Sequence, residues 1–341
     1  MTADGAKALY DGFGRHINYL RLSLTDHCNL RCVYCMPLHV PAFVPQPDLL
    51  TEEEIELVAQ AAVGVGFTKF RLTGGEPTLR PEVVSIVRRL AHIPGLGDLA
   101  MTTNGLLLPQ LAKDLAAAGL RRVNIHLDTL HPERLPQIMR WGTLKRIWAG
   151  IEAAEAAGLV PIKLNAVVTR GFNDTDVVDL ARLTLERDWH VRFIELMPLG
   201  NDQCGQLSRE RFVSNVETCR RIMKALGPLT PLPNQNPSDE SKNYRLPRAR
   251  GVVGFISPVS EPYCGSCNRM RLTADGKFHL CLLNDDELDV KAAIRSGGGM
   301  AAVQAVLSRA VALKPTGHHL IQQVLVEGAS TEQRHMFQIG G

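Results

Sequence analysis

Between Asn18 and about Pro198, short apolar and β-branched runs alternate with longer segments of helical periodicity. The strand-like runs are NYLRLSL, KFRLT, LAMTT, RVNIHLD, PIKLNAVV and HVRFIELM. The helical segment after the first run opens with Thr51 and carries Glu54 three positions later, the pattern of a capping box. Six strands separated by helices pair in parallel through right-handed crossovers. The pattern predicts an α/β fold built on a partial, TIM-like (β/α)6 barrel, with a doubly wound sheet as the alternative.

The alternation ends after Pro198, and we expect two domains, residues 1–204 and 205–341. PLTPLPNQNPSDESKN predicts an exposed, mobile loop in the second domain. RGVVGFISPV and MRLTADGKFHLCLL predict strands, the latter a hairpin that turns at Asp275-Gly276. Helices are predicted near Leu288 to Ser296 and Met300 to Val311, so the smaller C-terminal region is expected to be α+β.

Composition narrows the function classes. The 341 residues are 45% hydrophobic, and 38 Lys and Arg residues nearly balance 35 Asp and Glu residues. This balance argues against a protein that coats nucleic acid or an anionic membrane, so any basic patch must be local. The N-terminus has no signal-peptide pattern and no segment predicts a membrane span, and we expect a cytoplasmic protein. Eight cysteines in a reducing compartment favour metal or redox chemistry over a disulfide framework.

Three of these cysteines fall in CNLRCVYC, immediately after the first predicted strand. They are Cys28, Cys32 and Cys35. Structural zinc sites use four ligands, often in CxxC pairs, so this spacing is unusual for zinc. A cubic iron–sulfur cluster held by three thiolates leaves its fourth iron open. Because loops after barrel strands build active sites, the position favours a catalytic cluster.

A second group of three thiols lies in EPYCGSCNRMRLTADGKFHLC, at Cys264, Cys267 and Cys281. A zinc hairpin that uses His279 as fourth ligand is one interpretation, because His279 and Cys281 share a strand face. A second iron–sulfur cluster whose free iron binds substrate is the other. Arg269 and Arg271 lie beside the thiols, and paired guanidiniums suit phosphate oxygens.

The first cysteine motif, CNLRCVYC, together with RLTGGEPTLR after the second predicted strand, resembles the pattern of the radical S-adenosylmethionine enzymes. The full set of RLSLTDHCNLRCVYC, RLTGGEP, TTNG, RFIELMP, CGSCNRMR and the terminal Gly340-Gly341 resembles the GTP 3′,8-cyclases, from about Leu20 to the last residue. This resemblance implies two four-iron, four-sulfur clusters on the six cysteines and S-adenosylmethionine as cofactor. It implies radical cyclisation of GTP, the first step of molybdenum cofactor synthesis, with the Gly-Gly end reaching into the active site.

The resemblance also assigns binding residues, with no catalytic side chain among them. The S-adenosylmethionine site would comprise Tyr34, Gly75, His126 and Met197. The GTP site would comprise Arg21, Arg71, Thr102, Lys163, Arg269 and Arg271. His126 stands where relatives typically have serine, and a histidine packed inside the barrel is the alternative interpretation of it. Cations gathered inside the barrel would explain why the whole chain is near neutral.

The implied partners are a second copy in a homodimer, an external electron donor and a downstream cyclic pyranopterin monophosphate synthase, with no nucleic acid and no membrane. A peptide-modifying radical S-adenosylmethionine enzyme with an auxiliary cluster is the alternative within enzymes. A zinc-stabilised module that binds RNA or protein is the alternative from another class. Analysis for iron and sulfide against zinc would separate these classes.

Overall fold

The computed structural model describes residues 8–40, 42–199, 203–234, 236, 238–318 and 334–340. Its strands are β1 (Tyr19–Ser23), β2 (Lys69–Thr73), β3 (Asp98–Thr103), β4 (Arg122–His126), β5 (Lys163–Val168), β6 (His190–Glu195), β7 (Thr230–Leu232), β8 (Lys242–Arg245), β9 (Val252–Ile256), β10 (Arg269–Leu272), β11 (Lys277–His279) and β12 (Glu287–Asp289). Its α-helices are α1 (Glu52–Gly64), α2 (Val83–Ala91), α3 (Leu108–Ala117), α4 (Leu135–Met139), α5 (Leu144–Ala156), α6 (Val177–Glu186), α7 (Gln203–Glu210), α8 (Asn215–Leu226), α9 (Lys291–Arg295), α10 (Gly299–Ala312) and α11 (Met336–Ile339). Short 3-10 helices lie at Gln46–Asp48, Pro77–Leu79 and Cys264–Ser266.

The six predicted strands β1 to β6 lie side by side in sequence order, each parallel to the next. Sequential order is the order of a βα barrel, whereas a doubly wound sheet reverses direction at its middle. The predicted partial barrel is therefore confirmed. The capping box of α1 is also present, since Thr51 Oγ1 accepts from Glu54 N at 3.2 Å and Glu54 Oε2 accepts from Thr51 N at 2.9 Å.

Strands from the C-terminal half extend both edges of this barrel. β10 pairs in parallel with β1, and β9 pairs in parallel with β6, so the described strands form one sheet of order β12-β11-β10-β1-β2-β3-β4-β5-β6-β9-β8-β7. The hairpin of β10 and β11 turns where predicted, with Gly276 at φ +81°. The boundary between residues 204 and 205 stays a prediction, because both halves contribute to the same sheet.

Two predictions for the C-terminal half hold only in part. A helix lies within the segment predicted near Leu288 to Ser296, at Lys291–Arg295, and Thr230, Pro231 and Asn234 of the proline-rich segment are exposed as predicted. Leu288 does not begin a helix, because it pairs with Phe278 as part of β12. The segment predicted as an exposed loop contains β7, which pairs with β8, and it buries Ser241 and most of Glu240. Proline-rich composition suggested solvent exposure, whereas pairing against the neighbouring strand decides the conformation of this segment.

The barrel helices pack their apolar faces on the outside of the sheet and form one continuous core. Phe70, Leu72, Val123 and Phe193 are among its fully buried side chains. Burial of this face fixes the strand register, since a shift by one residue would turn these side chains to the opposite side. No helix among the described residues is long and apolar enough to cross a membrane.

Candidate functional site

One cavity at the carboxyl ends of the barrel strands brings together nearly all the residues singled out from the sequence. Lys163 is the exception, since it lies at the start of β5 beside the cavity. The predicted residues that line the cavity are Arg21, Cys28, Cys32, Tyr34, Cys35, Arg71, Gly75, Thr102, His126, Met197, Cys264, Cys267, Arg269, Arg271 and Cys281. Two cysteine groups far apart in the sequence thus face one space.

The TGGEP loop braces the segment that leads into the first cysteine group. Gly75 N donates to Thr25 O at 2.6 Å, and Glu76 N donates to His27 O at 2.7 Å. A Cβ atom on Gly75 would lie 2.3 Å from His27 O, so a side chain cannot be accommodated there without a shift of backbone. The resemblance placed this glycine in the S-adenosylmethionine site. The structure gives it a further reason, the contact between two loops.

Glu76 fastens the same loop to the end of β3. Its carboxylate accepts hydrogen bonds from Thr78 and Thr103 hydroxyls and from Asn104 N, at 2.5 to 2.7 Å. Burial raises the pKa of Glu76, against the lowering effect of these hydrogen bonds. The carboxylate thus holds two loops, its own and the one that follows β3, beside the first cysteine group.

The donor set fits iron–sulfur clusters. All six cysteines are free thiols. Within the part of the chain that the structure describes, no three His, Cys, Asp or Glu side chains converge on a single ion. A cubane differs from a single ion in that each thiolate holds a different iron, so three thiols set apart around a cavity suit it. Burial raises the pKa of Cys28 to about 12, so that cluster assembly there must release a proton.

The second cysteine loop is held by buried cations. Arg15 donates to Cys264 O at 2.7 Å and to Pro315 O at 2.5 Å, and Lys314 Nζ donates to Leu280 O at 2.6 Å. Burial acts to raise the pKa of Cys267, but the charges of Arg269 and Lys314 lower it to about 7. Cys267 therefore favours thiolate, the form that binds iron, whereas burial raises the pKa of Cys281.

The interpretation of His279 as a zinc ligand is not supported by its position, because His279 does not line the cavity that Cys264, Cys267 and Cys281 face. His279 is buried, its Nδ1 lies 3.2 Å from Glu287 Oε1 on the neighbouring strand β12, and its Nε2 has no partner among the described residues. The second group thus resembles the first, with three thiols and room for an open iron.

His126 lies in the cavity wall beside the first cysteine group. Its Nε2 is 2.8 Å from Tyr34 Oη and 2.9 Å from Asp128 Oδ2, and Tyr34 Oη donates to the same carboxylate oxygen at 2.6 Å. Burial would lower the pKa of His126, but Asp128 raises it well above the usual value. His126 is thus an oriented, charged group at the cavity, while its contact with S-adenosylmethionine stays a prediction.

Cations form the other wall of the cavity. Arg21, Arg71, Arg269 and Arg271 were predicted there, and the structure adds Arg192 of β6, which is 4% exposed. The buried atoms Arg21 Nε, Arg71 Nε and Arg269 Nη2 have no hydrogen-bond partner. A buried donor without a partner raises the free energy of the folded protein, and a polyanionic ligand would supply acceptors for these donors.

Because these cations lie close together in a buried site, the pKa values of several of them are lowered. Burial and nearby Arg71 lower the pKa of Arg192 to about 10, and burial with Arg21 and Arg269 lowers that of Arg271 to about 9. Burial and Arg192 lower the pKa of Lys163 to about 8. Lys163 therefore belongs to the same field of positive charge even though it does not line the cavity. The sequence predicted the strand that carries Arg192 and recognised its motif RFIELMP, but the register with Asn165 and the hydrogen bond between their side chains are what show the direction of Arg192.

A carboxylate that the sequence gave no reason to expect lies among these cations. Glu240 Oε1 is 3.0 Å from Arg21 Nη2, and Oε2 pairs with Arg269 Nη1. Burial would raise the pKa of Glu240, but Arg269 and Arg21 hold it well below the usual value. Its segment reads as a polar loop, which carries no signal of a position inside a pocket.

The end of the chain closes the cavity. Phe337 of α11 lines it, and Gly340 follows at φ +77°. A Cβ atom on Gly340 would lie 2.4 Å from Thr73 Oγ1 and 3.1 Å from Ser23 Cβ. Gly340 thus lies against Thr73, which lines the cavity, but Gly340 does not itself line it. Gly341 lies outside the described residues, and the reach of Gly340-Gly341 into the active site stays a prediction.

A parallel βα barrel whose first loop presents three open thiols, braced by a TGGEP loop, defines the class of radical S-adenosylmethionine enzymes. The Radical SAM superfamily model matches residues 22–184, and the Molybdenum Cofactor Synthesis C model matches residues 189–320. GTP 3′,8-cyclases of Pelotomaculum thermopropionicum and Moorella thermoacetica are each 47% identical over 333 residues, 98% of this chain and 100% of theirs. The chain belongs to the GTP 3′,8-cyclase family.

Solved structures agree with the fold. Streptococcus suis SuiB bound to S-adenosylmethionine superposes with a TM-score of 0.56 at 12% identity, covering 84% of this chain and 67% of that chain. At this identity the likeness supports the barrel architecture alone.

Proposed function

We propose that this protein is a GTP 3′,8-cyclase, which uses S-adenosylmethionine to convert GTP to (8S)-3′,8-cyclo-7,8-dihydroguanosine 5′-triphosphate. One hydrogen atom is removed from the ribose 3′ carbon, and that carbon forms a bond to carbon 8 of guanine. One electron from the external electron donor and one proton then convert the bond between carbon 8 and nitrogen 7 to the single bond of the 7,8-dihydro product. This reaction is the first step of molybdenum cofactor biosynthesis. The curated relatives bear this activity in their names over essentially the full length of the chain.

One observation carries the proposal. Two sets of three thiols and a wall of arginines face the same cavity, so cofactor and a phosphate-bearing substrate can meet there. The paired N–H donors of a guanidinium group match the geometry of phosphate oxygens, and the guanidinium nitrogens without partners can donate to such oxygens. Holding both reactants in one pocket is what directs a reactive carbon radical to an atom within the same substrate molecule.

The residues have distinct proposed roles. Cys28, Cys32 and Cys35 hold the first four-iron cluster, which supplies the electron that cleaves S-adenosylmethionine. Tyr34, Gly75, His126 and Met197 line the site of S-adenosylmethionine. Cys264, Cys267 and Cys281 would hold the second cluster, whose open iron would supply a contact for the purine. The cations Arg21, Arg71, Lys163, Arg192, Arg269 and Arg271, with Thr102, bind the remainder of GTP.

The peptide-modifying alternative is less well supported, because a peptide does not require a buried wall of arginines. A homodimer, an external electron donor, the downstream cyclic pyranopterin monophosphate synthase and a cytoplasmic location belong to the proposal as expectations from family membership. So does the division into residues 1–204, the barrel, and 205–341, the second-cluster region.

The direct test is anaerobic reconstitution with iron and sulfide, followed by incubation with S-adenosylmethionine, GTP and a reductant. We expect about eight irons per chain, the sum of two four-iron clusters. We also expect 5′-deoxyadenosine and the cyclised triphosphate, both identified by mass spectrometry. Formation of 5′-deoxyadenosine without any change in GTP would overturn the substrate assignment.

A further inference from the structure

We propose that Glu240 is an internal counter-anion of the arginine wall, which an incoming triphosphate must displace or outweigh. This inference rests on the proposed function, since it concerns how that function's substrate enters. It assigns to Glu240 a role in deciding which anions the pocket admits.

The first step of the argument is geometry. The two carboxylate oxygens of Glu240 contact different arginines, Arg21 on β1 and Arg269 on β10, as two oxygens of a bound phosphate would. β1 and β10 are adjacent strands, and Tyr19 is the register partner of Arg269. Glu240 thus bridges two neighbouring strands from inside the cavity that it helps to line.

The second step is the balance of charge. Arg21, Arg71, Arg192, Arg269 and Arg271 all line the cavity, and Arg71, Arg192, Arg269 and Arg271 are less than 10% exposed. Buried like charges raise the free energy of the folded protein unless an opposite charge compensates them. Glu240 is itself 10% exposed and provides such a charge before any substrate arrives.

The third step is the consequence for a ligand. A phosphate that takes the donors of Arg21 and Arg269 breaks two charge-assisted contacts of Glu240, whereas a phosphate that binds beside the carboxylate meets repulsion. Both routes weaken binding. A triphosphate can offset this cost through the other cations and the unpaired nitrogens of Arg21, Arg71 and Arg269. A small anion such as pyrophosphate makes fewer contacts and is held out of the pocket.

The test compares Glu240→Gln and Glu240→Ala with wild type after anaerobic cluster reconstitution, using calorimetric titration with GTP and separately with pyrophosphate. We expect each variant to bind GTP about tenfold more tightly or better, because the phosphates no longer compete with the Glu240 carboxylate for Arg21 and Arg269. Pyrophosphate binding should become measurable. Without ligand the variants should melt at lower temperature than wild type, and GTP should raise their melting temperature by more.

Glu261→Gln is the matched control, because Glu261 pairs with Lys242 at 2.9 Å on the surface and lies outside the cavity lining. It should leave GTP affinity unchanged. Tighter binding is a result that a merely structural role of Glu240 would not give. GTP binding that is unchanged or weaker in both variants would overturn the inference. A loss of GTP binding that is seen only when Mg²⁺ is present would show that the carboxylate helps to bind the ligand. If wild type itself does not bind GTP, the proposed function fails instead.

Discussion

Arg271 Nη1 donates a hydrogen bond to the carbonyl oxygen of Gly340, so the second-to-last residue is tied to the strand that follows the second cysteine loop. The same glycine lies against Thr73, at the end of β2 just before the TGGEP loop. The end of the chain therefore links the two halves of the site. A tail with such contacts is part of the site, whereas chain termini without them usually fray.

Deletion of Gly340 and Gly341 should suppress GTP cyclisation while cluster content, fold and GTP binding survive. Gly340→Ala should act in the same direction, because its Cβ would meet Thr73 Oγ1 at 2.4 Å. Gly158→Ala is the control, since Gly158 has a nearly equal φ of +78° and nothing within 4 Å of the added atom. Product formation is measured by mass spectrometry. Full activity of the truncated chain would show that the tail has no role in the reaction.

Replacement of Cys28, Cys32 or Cys35 by serine should abolish reductive cleavage of S-adenosylmethionine and leave the second cluster in place. A hydroxyl is a poor substitute for thiolate at iron, so iron content should fall from about eight to about four per chain. Iron and sulfide analysis, with 5′-deoxyadenosine as the activity readout, checks this. Cleavage at the normal rate by Cys32→Ser under anaerobic conditions would remove this group from the mechanism.

Arg269→Ala or Arg271→Ala should weaken GTP use far more than cluster content. Loss of one charge-assisted contact costs about 1.5–3 kcal/mol, which corresponds to roughly 10- to 100-fold in affinity. Affinity for S-adenosylmethionine should change little. Arg182→Ala on the exposed face of α6 is the control. If either cavity variant weakens S-adenosylmethionine binding and spares GTP, the arginines serve the other ligand.

GTP binding near pH 8 should take up a proton at Lys163. Burial and Arg192 lower the pKa of Lys163 to about 8 in the unliganded protein, so about half of the amines are neutral there. A triphosphate nearby raises this pKa again, because opposite charge favours the protonated form. Calorimetry in buffers of different ionisation enthalpy measures the uptake.

Lys163→Met should reduce this proton uptake, and Lys242→Met should not, because Glu261 raises the pKa of the exposed Lys242. Arg271, whose pKa is lowered to about 9, is expected to contribute a smaller residual uptake. Equal proton uptake by wild type and Lys163→Met would show that the bound triphosphate does not act on the Lys163 amine.

Gly75→Ala should impair loading of the first cluster. The added Cβ would force the TGGEP loop away from His27 O, and overpacking of this kind costs about 1–3 kcal/mol. Gly265→Ala is the matched control, because Gly265 lies between Cys264 and Cys267 with nothing within 4 Å of an added Cβ. Iron content of the reconstituted variants is the measurement. Normal loading and normal S-adenosylmethionine binding by Gly75→Ala would contradict the bracing role of this loop.

Sequence was most informative where periodicity and spacing carry the structure. The alternation of strands and helices predicted the barrel, and the cysteine spacings with RLTGGEP predicted the cavity's contents. Side chains that enter the site through tertiary packing were harder to find. Glu240 comes from a polar, proline-rich segment, and Leu288 becomes part of a strand because Phe278 is available as its partner. Local composition does not encode such pairing.

Arg192 is an intermediate case. Its motif was recognised and its strand was predicted, yet a single charged residue in an apolar strand could face either side of the sheet. The register with Asn165 and the hydrogen bond between their side chains at 2.9 Å settle the side. Inward-facing charge in a barrel strand is a useful signal for substrate contacts in other chains of this class.

The pairing of β9 and β10 with the two edges of the barrel also bears on biosynthesis of the protein itself. Residues 28–35 emerge from the ribosome long before β9, β10 and α11, which flank or cover their cavity. Until β9 and β10 have formed, the outer edges of β1 and β6 lack the strands that pair with them in the complete sheet. The cavity around the three thiols of residues 28–35 is therefore complete only after β9, β10 and α11 have formed.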